Sequence, residues 1–132
     1  MRGITIHYHL AIPAVVSILG LVAICWYRKK LFKRYPSLWA CIVIFLGLYL
    51  FIVGGALYKD IYYQWDLNRY DLDNDGVFGG EEITSEQTAA MNRLTNDVGR
   101  NFSFITGFIF ALPIASVVFV FGLLISKAIK AK

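Results

Sequence analysis

Apolar residues fall into three long charge-free runs: Leu10 to Tyr27, Leu38 to Tyr58, and Phe102 to Ser126. The first holds 18 residues and the second 21. About 20 apolar residues suffice for a helix to cross the hydrocarbon core of a bilayer. Each run is of spanning length and free of Asp, Glu, Lys, Arg and His, and a helix satisfies its own backbone groups there. The pattern predicts an all-α integral membrane protein with three transmembrane helices. It divides the chain into a tail (1–9), a first span (10–27), a basic loop (28–37), a second span (38–58), a polar segment (59–100), a third span (101–126) and a basic tail (127–132).

Several punctuation marks refine these elements. Pro13 sits in the first turn of its span, where a missing N–H does little harm. Pro113 lies mid-span and predicts a bend. From Leu38 to Tyr70 there is no proline, so the second helix is expected to run on past the membrane, with Gly54 and Gly55 as its weak point. Thr84 to Gln87 reads as a capping box that starts another helix. That helix is expected to lead into the third span, with Gly99 as its bend.

Composition agrees with this division. Hydrophobic residues make up 58% of the 132 and charged residues 17%, outside the usual shares for a soluble domain. Mean hydropathy is +0.57. All nine acidic residues lie in segment 59–100, which has a net charge of −5; the remainder has +9. An overall positive charge would suit nucleic acid, but here the basic residues border apolar runs. The 28–36 connection and the C-terminal tail share one side and hold eight Lys/Arg, so the positive-inside rule assigns them to the cytoplasm. The N-terminus and segment 59–100 are then outside: periplasmic, extracellular or lumenal. Trp26, Tyr27, Tyr35 and Trp39 suit the inner interface, and Tyr58, Tyr62, Tyr63 and Trp65 the outer. Positive charge follows the first run rather than preceding it, which reads as a retained span and not a signal peptide.

The chemistry lies in Asp71 to Glu82. Carboxylates occupy the first, third, fifth and twelfth places (Asp71, Asp73, Asp75, Glu82) and Gly76 the sixth. This spacing suits Ca²⁺, a hard cation that takes six to eight oxygens at flexible distances. Gly76 permits the sharp turn that brings the aspartates to one point. Val77 would offer its backbone carbonyl, a water would serve at Gly79, and Glu82 would close the shell with both oxygens. The stretch resembles the EF-hand calcium loop, a likeness confined to these twelve residues. It implies an entering helix with Tyr63, Leu67 and Tyr70 on one face, Phe78 in a short strand, and either a paired loop contributed by a second protomer or a lone loop, as in dockerin-like modules.

Remaining features are less specific. His7 and His9 read as part of an interfacial tail rather than a metal pair. Cys25 and Cys41 are expected as core thiols. Ser103, Gly107, Ala111 and Ala115, each four apart, form a small-residue stripe for close helix packing, within the chain or between protomers. The runs contain no Asp, Glu, Lys, Arg or His, which argues against a proton-coupled transporter. No phosphate loop, nucleophile elbow or zinc pattern is present, so the expectation is a protein that is not an enzyme. The leading expectation is a Ca²⁺-binding membrane protein whose ion braces the outward segment, self-associated or within a larger membrane complex. Alternatives are an oligomeric ion channel or Ca²⁺-gated channel regulator, and a Ca²⁺ sensor that recruits a partner.

Overall fold

The computed structural model describes residues 3–130. Arg2 and Lys132, which contribute to the positive charge of the two tails, lie outside them. Six α-helices follow in order: α1 (Tyr8–Trp26), α2 (Arg28–Arg34), α3 (Pro36–Asn68), α4 (Ser85–Thr95), α5 (Val98–Asn101) and α6 (Ser103–Lys130). Among the described residues there is no strand. Among the described residues three segments are long and apolar enough to cross a membrane: α1, α3 and the run that ends in α6.

α3 is the axis. It holds 33 residues, about 50 Å at the rise of an α-helix, and so exceeds the ~30 Å hydrocarbon core. It starts on Pro36, whose fixed φ suits a first helical position, and passes Gly54 and Gly55 unbroken. α1 and α6 both pack on it. α1 turns inward Leu10, Ala14 and Ser17, spaced as one helix face. α6 turns inward Ser103, Ala111 and Ala115. Gly107 completes this row, within 3.3 Å of Tyr49 and Ile52 as measured from the position its Cβ would take. The small-residue stripe therefore packs inside the chain, against α3. Small residues are what allow such an approach where lipid supplies no hydrophobic drive. Tyr49 adds a polar tie by donating to the Phe104 carbonyl at 3.1 Å.

The basic connection is helical, as α2, and the first turn of α3 that follows it meets the far end of α6: Ser37 lies against Gly122. At the opposite end the N-terminal segment, the tip of α3 and α4–α5 meet. Thr5 and Gln64 exchange two hydrogen bonds, at 2.7 and 2.9 Å.

Two local expectations are corrected. The approach to the third span bends not at Gly99, which lies within α5, but at Asn96–Asp97 and again at Phe102. Asp97 caps α5, accepting from the Arg100 N–H at 2.9 Å, and such a cap starts a new helix rather than continuing the old one. Cys25 is exposed rather than part of a core, and both cysteines are free thiols.

Candidate metal centre

α3 ends at Asn68 and α4 begins after Thr84, whose hydroxyl accepts from the Gln87 N–H at 3.1 Å as expected of its cap. Between these anchors the chain forms an irregular loop and one short 3-10 turn, Gly80–Glu82. Gly76 has φ 79° and Gly80 φ 55°, left-handed conformations that glycine adopts without strain. Asn74 also lies there, with φ 62°, which Asn tolerates better than most residues.

The turns bring Asp71, Asp73 and Glu82 together: one carboxylate oxygen from each lies within 4.8 Å of the others. Asp71 and Glu82 are buried and Asp73 is exposed, so the cluster has a protein side and an open side. Glu82 is the organiser. Its Oε1 accepts from the N–H of Leu72 at 2.6 Å and of Asp73 at 3.3 Å. Its Oε2 accepts from the Gly79 N–H at 3.2 Å. Those backbone donors, Gly79 foremost and then Leu72, hold its carboxyl below the ordinary carboxylate range, because they stabilise the charged form. Asp71 Oδ1 accepts from the Gly76 N–H at 3.4 Å.

Of the four expected carboxylate ligands, the structure gathers these three. Asp75 is not in the group. Its Oδ1 accepts from the Val77 N–H at 2.6 Å, a local turn common for aspartate. The Val77 side chain is exposed. Phe78 belongs to no strand. Three carboxylates at such distances repel one another, and a divalent cation is a natural counter-charge for an oxygen-only set.

A second cluster lies below the loop and was not foreseen. Asp60 on α3 is fully buried. Its Oδ1 lies 3.3 Å from Arg100 Nε, an ion pair whose angle does not make a hydrogen bond. Its Oδ2 accepts from Gln64 Nε2 at 2.9 Å and lies 2.6 Å from His7 Nδ1. A carboxylate only accepts, so the proton sits on Nδ1. Arg100 also donates to the carbonyls of Arg93 and Leu94 and lies over the Tyr63 ring. This cluster joins the N-terminal segment to α3 and α5. The available signal was position: His7, Asp60 and Arg100 each stand within a few residues of one apolar run, all at the same end.

Comparison with family models, with curated proteins and with solved structures finds no match for this chain.

Proposed function

We propose that this is a non-enzymatic, Ca²⁺-binding, multi-pass membrane protein in which the ion braces the helix–loop–helix between α3 and α4. The observation that supports it most is the convergence of Asp71, Asp73 and Glu82 to within 4.8 Å in that loop. Asp75 would join by exchanging its turn to Val77 for the ion, and the Val77 carbonyl and water would complete the shell. The loop faces outward in this reading, since the opposite end carries the basic α2 and C-terminus. Ca²⁺ is plentiful there, and extracellular modules of this kind bind at roughly 10⁻⁴–10⁻³ M. A site of that affinity stays near saturation, which suits a structural brace in a self-associated or larger membrane assembly.

Calorimetric titration of the detergent-purified protein with Ca²⁺ tests this, with Asp71→Ala and Glu82→Gln beside the parent. The expected result is saturable binding in the parent and none in either variant. Absence of heat and of any thermal shift at millimolar Ca²⁺ in the parent overturns it.

A further inference from the structure

A groove of about 450 Å³ opens between α3 and the α5–α6 corner. Its floor comes from the charge-free run of α3, through Phe51, Ile52 and Ala56. Its rim comes from residues at or beyond the ends of the apolar runs: Lys59, Asp97, Ser103 and Thr106. One side therefore belongs to hydrocarbon and the other to the polar boundary.

Ser103 is the anomaly in this groove. It is 4% exposed, and its hydroxyl has no hydrogen-bond partner. Ser17, Ser116 and Ser126 each donate to the carbonyl four residues back, at 2.8 Å. Ser103 opens α6, and the residue four back, Gly99, belongs to the separate helix α5, beyond the break at Phe102. A buried hydroxyl left unpaired is costly, and an acceptor in the groove would relieve it. Lys59 is exposed and, among the described residues, enters no ion pair. Arg100, also on the wall, is already matched by Asp60 at 3.3 Å. Asp97 caps α5 through Oδ1 but, among the described residues, also enters no ion pair, so the rim carries one unpaired cation, Lys59, and one unpaired anion, Asp97.

A molecule that fits needs an apolar tail, an anionic acceptor and a cationic donor. We propose that the groove holds a zwitterionic aminophospholipid from the leaflet on the loop side. Its phosphate accepts from Ser103 and Lys59, its primary amine meets Asp97, and an acyl chain covers the α3 floor. Free phosphate shares the first contact only, and an anionic lipid without an amine is repelled by Asp97.

Native mass spectrometry of the detergent-purified chain tests this, with phosphatidylethanolamine, phosphatidylglycerol and inorganic phosphate as separate probes. The parent is expected to take one phosphatidylethanolamine saturably and in preference to both other probes. Ser103→Ala and Lys59→Gln each weaken that adduct about tenfold, as expected for losing a hydrogen bond to a charged group. Asp97→Asn keeps the helix cap, since Asn caps as well as Asp, and abolishes the preference for phosphatidylethanolamine over phosphatidylglycerol. Lys59 is exposed, so Lys59→Gln reads the site without disturbing packing. Equal adduct populations in the parent, Lys59→Gln and Ser103→Ala overturn the proposal, as does a parent that favours phosphatidylglycerol or binds free phosphate equally well.

Discussion

Asp60 and Arg100 reach each other from α3 and α5, 3.3 Å apart, with side chains only 1% and 3% exposed. Buried pairs of this kind add little net stability over apolar replacements, but breaking one leaves an uncompensated charge, at a cost of about 3–5 kcal/mol. Asp60→Asn is therefore expected to lower the thermal midpoint in detergent sharply, because Arg100 and His7 both face that carboxylate. Arg100→Met should do comparable harm. The double variant should be less damaged than the sum of the two. A double-mutant cycle on melting in detergent checks this, and strict additivity would show that the pair is not coupled.

The acidic loop makes a prediction of opposite sign in two conditions. Asp73 is exposed, and its Oδ1 accepts from the Asp75 N–H at 3.1 Å. Asp73→Asn keeps that acceptor and removes one of three neighbouring negative charges. Without Ca²⁺ the variant should melt slightly higher than the parent, by roughly a few degrees at low salt. With millimolar Ca²⁺ the order should reverse, because the parent gains from binding and the variant largely does not. Melting both with chelator and with Ca²⁺ decides it; a variant that gains as much from Ca²⁺ as the parent would remove Asp73 from the ligand set.

What the sequence made legible was local or periodic. The apolar runs, the continuation of α3 to Asn68 and the Thr84 cap each depend on residues adjacent along the chain. So does the Asp71–Glu82 convergence, because Gly76 and Gly80 make its turns within twelve residues. What it left hidden depends on packing. His7, Asp60 and Arg100 each look like an ordinary charge beside an interface until α3, α5 and the N-terminal segment are set against one another. One miss was local even so: Asn96–Asp97 carried a stronger stop signal than Gly99, since Asp97 can cap the next helix. Asp75 has a partner two residues on, the Val77 N–H, which metal-ligand spacing alone does not reveal.

Close packing of α6 on α3 gives a contrast between glycines. A Cβ on Gly122 would stand 2.7 Å from Ser37 Oγ and 3.2 Å from Ser37 Cα. The backbone atom cannot move aside without shifting the start of α3, so Gly122→Ala should destabilise by about 1–3 kcal/mol, as overpacking does. A Cβ on Gly47 would meet nothing within 4 Å, and Gly47→Ala should be neutral or gain up to ~1 kcal/mol in helix propensity. Thermal melts of the two variants in one detergent test the pair. Equal effects would mean that α6 does not sit against Ser37.

Acid acts on the first turn of α4. The Glu86 carboxyl is held below its ordinary value of 4.5, first by its own backbone N–H, then by the hydroxyls of Ser85 and Thr84. Ser85 Oγ donates to Glu86 Oε2 at 3.1 Å. Its folded value is depressed, so its contribution is present above the unfolded value and is lost as pH falls through the folded one. The first turn of α4 should therefore loosen below about pH 4.5, while stability near neutrality stays flat with respect to this group. Glu82 shifts the same way and contributes over the same range, so the parent alone mixes the two. Glu86→Gln separates them: its acid-induced loss should be smaller than the parent's, and its stability at neutral pH slightly lower. Amide exchange across residues 85–95 from pH 6 to pH 3 reads this directly. An identical acid response in the parent and Glu86→Gln would assign the whole effect to Glu82 and its three backbone donors.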